Sequence, residues 1–341
     1  MARRCGPRQC LNTHQASKNV VTPLDHRLLD WSSIENRFRD TLLVGNGASL
    51  AVWEQFRYAS LYRRAALTIR DRRLFDDLGT TNFEGVLEAL RIGRLVCGNA
   101  GHPTRALFDQ YRRVRRALVR AVGATHIPWT VVPDESLRQI NQALRQYDYV
   151  FSTNYDLLIY WAMMSRQARG FRDYFWGPDN SFDPTDVATS GSLTRVLYLH
   201  GGIHLYRAED GSACKRVADD ANLLEVFATS RDVPLFISEG TYGDKLAAIR
   251  RSDYLSFAYE SLAQECDRLV IFGHGLTAQD RHLRDVIRRR SRRLAISIVP
   301  ATRHQIVQRK LRLTGHFPDA TIEFFDARSH PLGNASLLVQ P

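Results

Sequence analysis

The chain has 341 residues, 44% hydrophobic and 24% charged, and its 47 basic against 36 acidic residues give a formal charge of +11. That length can bury a large core, the composition is ordinary for a globular protein, and no apolar run approaches the ~20 residues of a membrane span. The five cysteines (Cys5, Cys10, Cys97, Cys214, Cys266) form no C-x-x-C pair. This argues against a zinc knuckle or disulfide framework and for a reducing, cytoplasmic setting.

Residues 1–24 are polar and basic without an apolar h-region, and read as a flexible arm rather than a secretory signal. A short helix is expected within 25–39, with Ser32 or Ser33 as its N-cap. Asp40 to Val44 forms a short strand that runs into Gly45-Asn46-Gly47-Ala48-Ser49 and then an apolar run, Leu50 to Leu67. Strand, glycine turn and helix make the first βα unit of a nucleotide-binding sheet. Glycines let backbone approach a phosphate, and a helix N-terminus offers free N–H groups. The third glycine of the dinucleotide fingerprint is absent, so a plain structural turn reads equally well. From about 50 to 146 the pattern is helical. Thr81 with Glu84 forms a capping box, followed by an apolar face of Val86, Leu87, Leu90 and Val96. Further helices cover about 104–122 and 135–146. This block is too long for one crossover helix, and reads as an insert, a lid or small subdomain over the sheet edge.

Tyr147 to Phe151 is an aromatic and β-branched run, a buried strand. It ends in Ser152-Thr153-Asn154-Tyr155-Asp156, and a helix follows over 157–164. After a polar loop at 177–192, a strand at 194–199 ends in His200-Gly201-Gly202. Residues 207–220 read as a surface hairpin or loop, and 234–237 as a short strand. A helix at about 251–265 leads to the strand Arg268 to Phe272, which ends in Gly273-His274-Gly275. A basic helix (280–289), a strand (294–299), a helix (304–311), a strand (321–325) and an irregular tail from 328 complete the chain. The alternation predicts an α/β, Rossmann-like domain over 25–327. Its sheet is mostly parallel, with helices on both faces and a helical insert.

Four polar or glycine clusters thus each follow a strand, and in a parallel sheet all four share the carboxyl edge, where open α/β proteins hold ligands. Asn154 alone suits a helix N-cap, yet Ser152, Thr153 and Asp156 accompany it and one cap suffices. His200 precedes two glycines, which suits a tight turn exposing the imidazole to a cleft as a general base. Asp280 reads as an N-cap or first-turn carboxylate. The arginine clusters at 112–120 and 281–293 read as solvated helix faces or as contacts to nucleic acid. The absence of interleaved aromatics and of zinc-finger or helix-turn-helix spacing favours the first.

Taken together, these blocks resemble the sirtuin-like NAD-consuming family. Gly45-Asn46-Gly47-Ala48-Ser49 is similar to its G-A-G-x-S loop, Ser152 to Asp156 to its T-Q-N-I-D block, and Leu199-His200-Gly201 to its H-G. The bacterial anti-phage branch, with T-N-Y-D, L-H-G and a late G-x-x strand end followed by an Asp, is the nearer resemblance, over roughly 40–326. It implies an NAD hydrolase that yields nicotinamide and ADP-ribose without a metal. Asn154 would hold the attacking water or ribose hydroxyls, and His200 would serve as base. Asp156 would seat the carboxamide, and Gly45, Asn46, Gly47, Ala48 and Ser49 would line the pyrophosphate. Thr153 stands where the family has Gln, and Gly273 with His274 would lie by the adenosine ribose. No zinc-binding cysteine set is present, and the segment that pairs with a substrate peptide departs from the deacylase pattern, so protein deacylation ranks lowest. The other reading, of a different class, is a non-catalytic NAD or ADP-ribose sensor acting through a partner. Homo-oligomerisation or a regulatory partner is expected to restrain an NAD-depleting effector.

Overall fold

The computed structural model describes residues 25–56, 61–165, 167–186, 193–217, 223, 226, 232–237 and 241–340. The expected basic arm lies outside them, as do parts of the loops at 177–192 and 207–220. In chain order the strands are β1 (Thr41–Val44), β2 (Tyr149–Ser152), β3 (Phe171–Arg172), β4 (Thr194–Tyr198), β5 (Gly201–Arg207), β6 (Ala213–Lys215), β7 (Val233–Phe236), β8 (Arg268–Phe272), β9 (Arg293–Ile298) and β10 (Thr321–Asp326).

Seven strands form one sheet in the order β10-β9-β8-β1-β2-β4-β3, and every neighbouring pair is parallel. With the two-residue β3 set aside, the order is that of a dinucleotide-binding sheet, reversing direction between β1 and β8. Leu42, Leu43, Val150, Phe151, Val196, Leu197, Val270 and Ile271 are all 0% exposed. Consecutive residues of a strand point to opposite faces, so their joint burial means that both faces of the sheet are covered. The α/β, Rossmann-like class read from the sequence is the one observed.

Between β1 and β2 the regular structure is helical: α1 (Asn46–Val52), α2 (Leu61–Arg64), α3 (Ile69–Asp77), α4 (Phe83–Asn99), α5 (Arg105–Gly123) and α6 (Asp134–Leu144). The apolar run expected as one helix over 50–67 is broken. α1 stops at Val52, and a 3-10 turn, Glu54–Phe56, follows. α4 is capped by Asn82, whose side chain accepts from the Glu84 N–H at 3.1 Å. The cap is therefore not Thr81, and the Glu84 carboxylate turns inward instead of closing a capping box. Val96, expected on the buried face, is 60% exposed. Near the start, Asp30 rather than Ser32 or Ser33 is the cap, accepting from the Ser32 N–H at 2.9 Å.

After β2 come α7 (Leu158–Met164), α8 (Tyr242–Arg250), α9 (Asp253–Glu265), α10 (Arg281–Arg290) and α11 (Arg303–His316). A second sheet, β6-β5-β7, has antiparallel pairings, and its β7 is the short strand read at 234–237. Gly201 and Gly202, expected as an open turn, begin β5. Gly201 takes φ +68°, and a Cβ there would lie 2.1 Å from the Leu235 carbonyl oxygen of β7. Only glycine lets the two strands approach that closely. The hairpin read within 207–220 is present, Arg207 of β5 pairing with Ala213 of β6, but its 213–215 strand is buried rather than on the surface. Beyond β10, three 3-10 turns bury Leu332 and Leu337 against the core.

Candidate active site

Val44 at the end of β1 lies beside Ser152 on one side and Phe272 on the other, and Ser152 lies beside Tyr198. This shared register releases the segments after β1, β2, β4 and β8 along one edge. There they line a cleft of about 960 Å³, within the range of small-molecule sites. Asn46, Thr153, Asn154, Asp156, His200, Gly273 and His274 all reach it. Gly45, Gly47, Ala48 and Ser49 do not; they form the layer beneath.

The glycine turn packs against the loop after β8. A Cβ on Gly45 would lie 2.6 Å from His274 Cα, and one on Gly47 2.6 Å from Gly273 Cα. The Gly45 and Gly47 N–H groups bond to the carbonyls of Phe272 (2.9 Å) and Gly273 (2.8 Å), and the Ala48 N–H bonds to Gly45 (3.0 Å). Of the donors expected to meet a phosphate, those of Gly45, Gly47 and Ala48 are therefore occupied by protein, and α1 has only seven residues. The glycines serve a backbone-to-backbone contact between loops. Asn46, whose Nδ2 bonds the Phe56 carbonyl at 3.1 Å, ties the turn to the insert.

Asn154, 6% exposed, is fixed from below. Its Nδ2 donates to the Gly45 carbonyl (3.2 Å) and to Ser49 Oγ (2.9 Å). The Ser49 hydroxyl donates in turn to Asp156 Oδ2 at 2.5 Å. The other Asp156 oxygen accepts from the Leu158 N–H at 3.0 Å, where α7 begins. Asp156 thus holds the helix start that Asn154 alone was first suited to cap. With both Nδ2 hydrogens engaged, Asn154 has Oδ1, an acceptor, left to face the cleft.

His200 sits where the chain leaves the parallel sheet for the antiparallel one. Its carbonyl accepts from the Ile237 N–H at 2.8 Å, and the preceding Leu199 N–H bonds to Ser152 at 2.8 Å. The imidazole was expected to be exposed; it is 4% exposed, with Nε2 lying 3.0 Å from His282 Nε2 on α10. Burial, the Lys245 ammonium and His282 hold His200 well below the ordinary histidine range. Burial and Lys245 push His282 down to about 4. Both rings are neutral at neutral pH.

The cleft is also lined by Lys245, whose Nζ lies 2.7 Å from Asp280 Oδ1; Thr277 Oγ1 donates to the other oxygen at 2.9 Å. Burial would raise the Asp280 carboxyl, but His274 and Lys245 outweigh it and hold it well below the usual carboxylate range. Asp280 thus stands at the N-cap position of α10, as expected, but its side chain makes the ion pair in place of a cap bond. His274 accepts from the Leu276 N–H at 3.0 Å. The insert supplies the remaining side with Phe56, Phe75, Asp76, Thr80 and Thr81.

Sequence reasoning missed Lys245, His282 and His126. His126, on the insert, accepts from the Leu157 N–H at 2.9 Å through Nε2, leaving Nδ1 to donate to the Ile127 carbonyl at 2.8 Å. Long-range partners of this kind leave no local pattern. One signal was readable: Thr241 and Asp244 form a capping box that starts α8, the helix carrying Lys245. Among the described residues no cluster of three or more His, Cys, Asp or Glu side chains is placed to hold a metal. Among them, too, no helix is long and apolar enough to cross a membrane.

The strand order and the cleft at its reversal define an α/β protein of Rossmann-like architecture with an open cleft at the carboxyl edge of its sheet. The chain belongs to the family described as "Domain of unknown function (DUF4917)", whose profile matches residues 42–332. No curated protein matches the sequence significantly. A solved structure titled "Structural Basis for the Mechanism and Regulation of Sir2 Enzymes" aligns with 90% of this chain and 93% of its own at 12% identity, with a TM-score of 0.36.

Proposed function

We propose that the cleft binds NAD and hydrolyses the bond between nicotinamide and ribose. The observation that carries this reading is the placement of Asn154 and His200. They follow adjacent parallel strands, β2 and β4, and line one cleft with the loop after β8. Asp76, Asp156, Asp244 and Asp280 line it as well, against Lys245 as the cation among the described lining residues. Such a lining favours positive charge, both on the bound pyridinium and on the ribose as the bond breaks.

In the reaction the C1′–N1 bond breaks and its electron pair goes to nicotinamide, a neutral leaving group. Water then adds to the oxocarbenium carbon and loses a proton to solvent, giving ADP-ribose. The protein's task is orientation and charge stabilisation. Asn154 Oδ1 accepts a hydrogen bond from the attacking water and aims its lone pair at C1′. His200 meets the ribose hydroxyls. The glycine turn contributes the floor of the site, not a phosphate cradle. That such an enzyme acts as an NAD-depleting anti-phage effector, restrained by self-association or a partner until triggered, follows from the motif resemblance.

The test is to incubate the purified protein with NAD and separate the products, beside Asn154→Ala and His200→Ala. Nicotinamide release by the parent, lost in both variants, supports the reading. NAD that binds and stays intact sinks it in favour of the sensor, which the placement of both side chains on the cleft disfavours.

A further inference from the structure

We infer that His282 is a positioning residue that sets the tautomer of His200, so that His200 presents Nδ1–H to the cleft as a hydrogen-bond donor and not as a base. The inference rests on the NAD-hydrolase reading for its catalytic meaning, though not for its geometry.

Two imidazole nitrogens 3.0 Å apart, His200 Nε2 and His282 Nε2, share one hydrogen; two would clash and none would leave two lone pairs opposed. His282 decides which ring supplies it. His282 is 1% exposed, and its Nδ1 is buried without a hydrogen-bond partner among the described residues. An orphaned buried N–H is rarer and costlier in proteins than an under-satisfied acceptor. The bare nitrogen of His282 is therefore Nδ1, and its proton sits on Nε2, donated to His200 Nε2. A neutral His200 then carries its own proton on Nδ1. That nitrogen makes no hydrogen bond within the described residues, and His200 lines the cleft.

The neutral state of the pair has a structural cause. Burial and the Lys245 ammonium press against a proton on either ring. A pair that cannot charge keeps its tautomers, and so keeps its direction of donation. The cleft then carries two complementary groups: Asn154 Oδ1, which accepts, and His200 Nδ1–H, which donates. The acceptor suits the attacking water. The donor suits a ribose hydroxyl oxygen, holding the sugar while C1′ opens. Water adding to an oxocarbenium ion loses its proton to solvent afterwards, so the step proceeds without a histidine base.

The experiment is a long-range proton–nitrogen NMR spectrum of the labelled full chain, in which protonated and bare imidazole nitrogens resonate far apart. Peaks are assigned by their loss in His200→Gln and His282→Gln. The expected result is His200 protonated at Nδ1 and His282 at Nε2; a bare Nδ1 on His200 overturns the inference. His282→Gln keeps a donor towards His200 and is expected to preserve both its tautomer and nicotinamide release, within about threefold. His282→Leu removes the donor that holds the His200 ring in place, and release falls about tenfold, the rate equivalent of one hydrogen bond. A His282→Leu protein with the parent rate also overturns the inference. If the parent releases no nicotinamide, the hydrolase reading falls, while the spectrum of the parent still decides the tautomer.

Discussion

Ser49 Oγ stands 2.5 Å from Asp156 Oδ2 and donates its hydrogen there. The same oxygen accepts from Asn154 Nδ2 at 2.9 Å. One hydroxyl from α1 thus fixes two side chains of the segment after β2, and Asn154 owes its orientation to a residue that never reaches the cleft. Ser49→Ala leaves a carboxylate oxygen and an amide hydrogen buried without partners. The expected loss is about 1–3 kcal/mol, read from urea unfolding midpoints. An unchanged midpoint means that the serine does not hold the pair.

The Lys245–Asp280 pair is the second support. Its side chains are 9% and 12% exposed, so removing one partner strands a charge in low dielectric. Lys245→Met and Asp280→Asn are each expected to cost about 3–5 kcal/mol, and the double variant less than their sum. A double-mutant cycle on thermal unfolding measures the coupling; strict additivity contradicts it.

Glu84 carries a pH dependence. Burial raises its carboxyl to about 7 from 4.5, with Arg207 opposing; Arg207 Nη2 lies 3.5 Å from its Oε1. Here the folded state binds the proton more tightly than the unfolded chain. The contribution is complete below the unfolded value and fades as pH rises through about 7, by roughly 3 kcal/mol in all. Relative to the parent, Glu84→Gln is therefore expected to be more stable at about pH 8 than at about pH 5. Melting temperatures of the two proteins across that range provide the check, and parallel curves contradict it.

Two glycines make opposite forecasts. Gly273 has φ +66°, and a Cβ there would lie 2.7 Å from the Ala48 nitrogen. Gly273→Ala combines left-handed strain with a backbone clash, and is expected to cost roughly 2–5 kcal/mol. Gly85, within α4, has nothing within 4 Å of its Cβ position. Gly85→Ala is expected to stabilise by about 0.5–1 kcal/mol. Thermal unfolding of both variants tests the pair, and a stable Gly273→Ala protein would refute the close approach.

The parallel sheet was legible because its strands are buried on both faces and read as unbroken apolar runs stopped by glycine or polar residues. β1, β2, β4 and β8 carry that signature most clearly. The start of β5 was not, since it falls on the two glycines after His200. Glycine reads as a turn unless the partner backbone pressed against it is known, and here that partner is Leu235. The same blindness affected Gly45 and Gly47. Their spacing suggests an anion cradle, whereas the requirement comes from Gly273, far along the chain. Asn154 and His200 could be placed at the sheet edge from strand order alone, but what holds them could not. Ser49 was read as a ligand contact and is a support; His282 was read as part of a basic helix and touches His200.

The contact between Gly45, Gly47 and Gly273 has an evolutionary consequence. Each glycine is excluded from change by main-chain atoms of the other loop, not by a side chain that a second mutation could trim. A residue that already lacks a side chain has nothing to give up, so no compensating substitution exists within the trio. Sequence drift can remodel the insert, the surface arginines and even the ion pair step by step. Here it meets a position where single steps fail and paired steps fail too, and only a shift of whole loops would open a route.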